Sequence, residues 1–381
     1  MKSPSPGAPD ARMPLDPAAL EPLLRLAVVP RIGPGRIGTL LARFGTAERA
    51  LNASASAVAA LPGFGAEMAR RVAEAGSPAG RERARYAQQL MDRVGAAAIT
   101  PEDDAYPAAF RLLPDPPFLL FASGRLELLG TAGIGVVGTR APTPYGRQAA
   151  ASLAADLVRA GYSIVSGMAK GIDAAAHAAA LDAGGATVGV LGQGIDRVYP
   201  PENHRLFAHM RERGLLVTEL APGEDPNAGN FPRRNRLIAA LSDGVLVVEM
   251  GERSGARHTV EYTLELGREV FAVPGPIGSA ASAGTNQLLK EGARLVTSAH
   301  DILEELRGVG HATPVPPPPA PPPDLPPQEA AVFALLHGEP RHVDELATAA
   351  ALPTGALLTA LLSLELRDLA ESLPGKQFRR R

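Results

Sequence analysis

The chain has 381 residues, 45% of them hydrophobic and 20% charged, which is ample apolar content for two or three packed domains. It has no cysteine, so disulfides, thiolate metal sites and thiol nucleophiles are excluded, and no apolar run approaches the roughly 18 residues of a membrane helix. With 38 Lys+Arg against 40 Asp+Glu the formal charge is −2, so a polyanionic partner must be met by a local basic cluster.

The first 20 residues are rich in Pro, Ser and Ala and read as a flexible tail. The opening MKSPSPGAPDARMP has no apolar stretch of the kind a secretion signal needs, which predicts a cytoplasmic protein with no membrane partner. Residues 21–95 carry helical apolar spacing. Within them 26–45 and 57–76 share one design, an apolar helix, a G-x-G turn (Gly33 and Gly35, then Gly63 and Gly65) and a second apolar helix. This is the pattern of a helix–hairpin–helix, whose turn can offer backbone N–H groups to a phosphate; Arg31 and Arg36 flank the first copy. A plain tight turn in a helical packing domain explains the same pattern.

From 96 to 307 the pattern changes to short Val/Ile/Leu runs alternating with helical segments. Strands are predicted at 133–138, 162–167, 186–192, 214–219, 244–250 and 268–275. Helices are predicted at 145–160, 171–183, 203–213, 235–241, 258–266 and 285–291. Continuous apolar strands joined by helices predict an α/β fold with a doubly wound, Rossmann-like parallel sheet, whose ligands bind at the strand exits. Residues 308–327 form a proline-rich linker, with ten prolines between 314 and 327. Residues 328–381 form a last small module of three helices (329–337, 343–350, 355–368) and a hairpin, the layout of a winged helix. Its third helix has no Lys or Arg before Arg367, so a protein-binding or spacer role fits it better than groove reading.

The strand exits hold the candidate chemistry. Gly133, Gly135 and Gly138 fit G-x-G-x-x-G, but they lie in the strand rather than in the turn after it, which argues against a dinucleotide; no cofactor is expected. The turn that follows is Gly138-Thr139-Arg140. The next exit, SGMAKGIDAAAH (166–177), combines Ser166, Gly167, Lys170 and Gly171 before a helix N-terminus. Asp173 and His177 share a helix face at a metal-compatible spacing, but no third ligand is placed, and a capping acid with a nearby hydrogen-bonded histidine is the better reading; no metal is expected. FPRRNRLIAALS (231–242) sets Phe231 beside Arg233, Arg234, Asn235 and Arg236. Three arginines in four positions cannot all face a core, so the expectation is a solvated phosphate clamp with an aromatic stacking platform. Ser254 and Gly255 open another anion-sized nest.

These blocks have a familiar order. VVGTR (136–140), SGMAKGIDAAAH, VLGQGIDRVYP (190–200), FPRRNRLIAALS, VVEM (247–250) with SGARHT (254–259), and VFAVPG (270–275) with SAGTNQLLKEGA (282–293) together resemble the DNA-processing protein A (DprA/Smf) family. The resemblance covers about 110–300 and rests on six blocks in order. It implies a sterile-alpha-motif-like domain before the sheet and a winged helix after it. It also implies single-stranded DNA binding without catalysis, a homodimer, and delivery of incoming DNA to the recombinase RecA during natural transformation, with single-strand-binding protein a further partner. The implied phosphate contacts are Arg140, Ser166, Gly167, Lys170 and Arg234, with Phe231 for stacking. The resemblance places the dimer contact around 286–296, where Leu288, Leu289 and Val296 are the apolar candidates. Two departures stand out: Arg257-His258-Thr259-Val260 replaces the family's Leu-Ile-Thr-Ala, and NAGN (227–230) lacks the basic or aromatic residues common before this motif.

The rival reading is a nucleotide-processing enzyme of the phosphoribohydrolase fold group, with Glu219 and Glu249 as acids at strand ends. The chain lacks that group's phosphate loop, of which PGPIGSAASAGT (274–285) is a partial echo, and neither glutamate has a fixed base beside it. A protein-only adaptor is the third reading.

Overall fold

The computed structural model describes residues 17–30, 32–252, 254–308, 325–336, 341–350, 352–367, 369–373 and 375–380. They fall into two compact units divided between Pro314 and Val315. Arg31 of the first hairpin, most of the N-terminal tail and most of the proline-rich linker lie outside the described residues.

The first unit is built on a nine-stranded sheet in the order β1-β2-β6-β5-β4-β3-β7-β8-β9. Its parallel strands are β3 (Gly133–Val137), β4 (Ser163–Ser166), β5 (Thr187–Val190), β6 (Leu215–Thr218), β7 (Gly244–Val247), β8 (Glu269–Ala272) and the two-residue β9 (Arg294–Leu295). The central strands are buried on both sides, which is why they are mostly apolar: in β7, Val245 and Val247 enter one core while Leu246 enters the other. The chain winds outward from β3 to β6, then returns to place β7 beside β3. That reversal makes a crevice at the carboxyl ends of β3 and β7, the switch point where such sheets bind ligands.

Three strands of this sheet escape the sequence pattern, the two-residue β9 among them. β1 (Ala96–Ile99) and β2 (Leu120–Gly124) extend the sheet antiparallel, with Ala96 opposite Ser123 and Phe121 opposite Thr218. AAAI has no β-branched residue before Ile99 and reads as helix or loop until β2 supplies its hydrogen bonds.

Helices Pro17–Ala27, Pro34–Phe44, Ala66–Gly76 and Pro78–Arg93 lead a helical layer that shares one core with the sheet. Leu24, Leu26, Leu40 and Val72 belong to the same cluster as Phe121, Phe207 and Met210. Buried Arg25 ties this layer together by donating to the carbonyls of Ala75 (2.9 Å) and Gly76 (2.6 Å), where a cation suits the C-terminal end of a helix. The first G-x-G hairpin meets its own chain: Arg233 lies against Gly33, and the Asp115 carboxylate lies 2.8 Å from where a Cβ on Gly35 would sit. In the second, Gly63 and Gly65 adopt φ of +76° and +69° with open space beside them.

The expected dimer residues need correction. Leu288 (2% exposed) and Val296 (0%) are core residues, and Leu289 packs against the same core, because the helix Ala283–Lys290 lies on the sheet instead of standing off it. The exposed apolar residue of this segment is Leu295 (55%), on edge strand β9.

The second unit has helices Pro327–Leu335, Val343–Ala350 and Thr354–Leu366 and a small antiparallel sheet: β10 (Arg341–His342), β11 (Ala370–Leu373) and β12 (Gln377–Arg380), in the order β10-β12-β11. Its own core includes Val332, Phe333, Leu346, Leu357 and Leu361. The third helix turns Leu358, Leu362 and Leu366 outward.

Candidate nucleic-acid interface

A cleft of about 660 Å3 opens at the switch point. Its walls come from five segments far apart in sequence: Gly138–Arg140 after β3, Ala169 and Asp173 after β4, Tyr199 after β5, the helix Asn230–Ala240 at Phe231, Arg234 and Asn235, and Ser254–Ala256 after β7.

The floor is fixed by buried ionic chemistry. Arg234 is 5% exposed; it donates to the carbonyls of Gly167 (2.7 Å) and Val190, and to Asn235 Oδ1 (3.1 Å). Burial pulls its guanidinium down to about 10, and Arg140 adds to that while the Asp173 carboxylate opposes it. Asp173 accepts from the N–H groups of Gly167 (3.0 Å) and Ala169 (3.3 Å), so it organises the loop at its own helix N-terminus. Its burial raises its carboxyl above the ordinary range despite Arg234 and those N–H donors. Behind it, His177 Nδ1 bonds Thr187 Oγ1 at 2.7 Å, and burial depresses the imidazole to about 3. The aspartate and histidine are thus committed to the loop and the β5 hydroxyl.

Glycine is required where these loops cross. A Cβ on Gly171 would lie 2.4 Å from the Thr139 carbonyl oxygen, and its φ of +82° disfavours any side chain. At Gly167 a Cβ would meet the Arg234 guanidinium at 2.5 Å.

Several expected contacts are therefore structural. Ser166 is fully buried and donates to Val136 O at 2.6 Å. Gly167 spends its N–H on Asp173 and its carbonyl on Arg234. Arg236 is buried against Glu219, which also lies 3.5 Å from Arg233, so the solvated three-arginine clamp is not what forms. The reason is local: the helix begins at Asn230 rather than 235, so the arginines sit on a helix with two of them turned inward. Lys170 is exposed at the rim and paired with Glu202. Ser254 Oγ accepts from Ala256 N–H (3.3 Å), and the Gly255 carbonyl takes Asn235 Nδ2 at 3.4 Å, which closes the far wall.

The side chain left facing solvent is Arg140. Its guanidinium lies 5.4 Å over the Phe231 ring, and among the described residues no carboxylate lies within ion-pair distance of it. Phe231 is not the bare platform expected: it is partly buried, with Tyr199 stacked on it at 5.5 Å and 26°. Tyr199 is 37% exposed and offers the accessible ring. Sequence reasoning missed it, because nothing in VLGQGIDRVYP marks a tyrosine that meets a phenylalanine 32 residues later.

The two departures from the family pattern also resolve locally. Arg257 pairs with Glu291 at 2.9 Å and His258 Nδ1 lies 3.3 Å from the Glu261 carboxylate, so both side chains are engaged within the chain. NAGN forms a turn in which Asn227 Oδ1 accepts from Gly229 N–H (2.9 Å) and leads into the helix at Asn230. The rival's two acids are engaged as well. Glu219 holds Arg236, while Glu249 accepts from the Thr143 N–H (2.8 Å) and hydroxyl (2.7 Å) at a helix start.

A doubly wound sheet with a switch-point cleft that carries an arginine, an accessible ring and glycine-lined loops places this chain in the Rossmann-like class. The comparisons make this specific. Residues 97–307 match the DNA recombination-mediator protein A family, and 316–376 match the DprA winged helix domain. Protein Smf of Synechocystis is 33% identical over 384 residues, covering 92% of this chain and 96% of its own. The X-ray structure of DprA from Streptococcus pneumoniae superposes with a TM-score of 0.63 at 32% identity, covering 77% of this chain and 99% of that one. A structure of Helicobacter pylori DprA, described for its unique single-stranded DNA binding mode, gives a TM-score of 0.51 at 33% identity over 56% of this chain and 97% of its own. The chain belongs to the DprA/Smf family.

Proposed function

We propose that this protein binds single-stranded DNA in the switch-point cleft and passes it, without breaking a bond, to a RecA recombinase in the cytoplasm. The observation that carries the reading is Arg140, an unpaired cation held over an aromatic pair at the mouth of a cleft with a rigid floor. A phosphate would take the guanidinium, and an unpaired base would stack on Tyr199 or share the Phe231 face with it. The description of the Helicobacter pylori relative supports the choice of ligand. Family membership supports the recombinase step, and the engagement of Glu219 and Glu249 supports binding without catalysis. Among the described residues no helix is long and apolar enough to cross a membrane. Two copies would meet at edge strand β9, with Leu295 taking the role expected of Leu288 and Val296.

The test is a titration of the full chain with single- and double-stranded oligonucleotides of equal length across a salt series. Tighter binding of the single strand, weakening steeply with salt, is the expected result. Equal affinity for the duplex would remove the stacking element of the proposal.

A further inference from the structure

The cleft ends near Gly251, but the ligand edge of the sheet continues to β8. The loop after β8 is a braced turn. Ser279 N–H donates to Pro276 O at 2.9 Å, and Ser282 N–H to Ser279 O at 3.1 Å. Asn286 clamps Gly275 from both sides, accepting from its N–H at 3.2 Å and donating to its carbonyl at 3.0 Å. At the tip of this turn Ile277 stands wholly in solvent, at 102% exposure. Beside the loop Tyr145 is 50% exposed, and its hydroxyl donates to Pro274 O at 3.0 Å, which fixes the ring. The loop borders the cleft directly: Ala280 O lies 3.4 Å from where a Cβ on Gly251 would sit.

A single exposed isoleucine needs no explanation. Here, though, a hydrogen-bonded turn holds the isoleucine out three residues from the carbonyl that pins a half-exposed tyrosine, on the edge that already carries the cleft. We propose that Tyr145 and Ile277 form a second base-binding step, which takes an unpaired nucleobase further along the same DNA strand. This rests on the reading of the cleft given above. A π face and an aliphatic side chain accept any base, so the step adds length-dependent affinity rather than sequence preference. Arg140 leaves β3 and the Tyr145 hydroxyl is held at Pro274 beyond β8, so the order β3-β7-β8 puts two inter-strand intervals, about 10 Å at ~4.8 Å each, between the two anchor points. A strand must run past the cleft to touch both.

The experiment compares oligothymidines of about 3 and about 12 nucleotides, by anisotropy competition against the full chain, with Tyr145→Ala, Ile277→Ser and Arg140→Ala. Tyr145→Ala and Ile277→Ser should each weaken the long strand by about fivefold or more and leave the short one unchanged. Arg140→Ala should weaken both lengths. Ile277→Ser replaces a fully exposed side chain, so its result does not depend on tolerance of the Tyr145 change. If the wild-type chain binds both lengths and the two substitutions leave the long-to-short ratio unchanged, the second step is wrong while the cleft stands. If the wild-type chain binds neither length, the cleft reading falls and the second step falls with it.

Discussion

The sheet's ligand edge and the third helix of the winged unit are both places where their fold classes commonly meet nucleic acid, yet their chemistry is opposite. The sheet edge presents Arg140 with no carboxylate partner among the described residues, an accessible ring in Tyr199, and loops crossing through glycine. The helix Thr354–Leu366 presents Leu358, Leu362 and Leu366 and contains no Lys or Arg. A recognition helix needs cations for phosphates and polar side chains for base edges, and leucines supply neither. The architecture offers a position; the residues placed there decide whether a polyanion can use it.

The contrast extends beneath the surface, and the largest expected effect lies there. Arg234→Ala removes the donor from the Gly167 and Val190 carbonyls and strips buried Asp173 of its counter-charge. Loss of one partner from such a buried set should cost about 3–5 kcal/mol in urea unfolding. A change within experimental error would mean that the floor is not held this way.

The same floor should make the sheet unit acid-sensitive. His177 titrates at about 3 in the folded chain against its ordinary 6.5, so the unfolded chain binds the extra proton between those values. Its contribution to stability is complete above pH 6.5 and is lost progressively down to about pH 3, at up to ~1.4 kcal/mol per pH unit. Asp173 runs the other way: its raised carboxyl favours the folded state at low pH and loses that contribution as pH rises through its folded value, which offsets part of the histidine slope. Replacing His177 with Gln should flatten the dependence of unfolding free energy on pH between 6.5 and 4. An unchanged slope would place the titration elsewhere.

How far these features could be read from sequence depends on whether the signal is local. The six strands β3 to β8 announce themselves through runs such as GVLVVEM, because two-sided burial favours apolar residues on both faces. β1 does not, since its alanines become a strand only by pairing with β2. The glycine turns and Arg140 were legible for the same local reason. Arg234 and Arg236 were misjudged because arginine in a polar-looking stretch reads as solvated. Only the tertiary fold brings the Gly167 and Val190 carbonyls and Glu219 around them. Tyr199 went unseen because its stacking partner comes from the start of the helix Asn230–Ala240. Leu288 and Val296 looked available because burial against the sheet is not encoded in their spacing.

The dimer contact proposed at β9 can be tested separately from the cleft. Leu295→Arg sets a charge on edge strand β9, and light scattering should then report monomers where the wild-type chain reports dimers. Persistence of the dimer would move the contact away from β9.

The central claim is that the sheet edge, and not the winged helix, holds the strand. It is tested most directly by titrating one fluorescent oligothymidine against the full chain, Arg140→Ala and Leu362→Glu, with a thermal melt of each. Arg140→Ala should lose a charge-assisted contact worth about 1.5–3 kcal/mol, or roughly ten- to a hundredfold in affinity, with an unchanged melt because the side chain faces solvent. Leu362→Glu sets a negative charge at the centre of the leucine face and should leave affinity unchanged. The opposite pattern, full affinity in Arg140→Ala with an intact melt and a large loss in Leu362→Glu, would contradict the account.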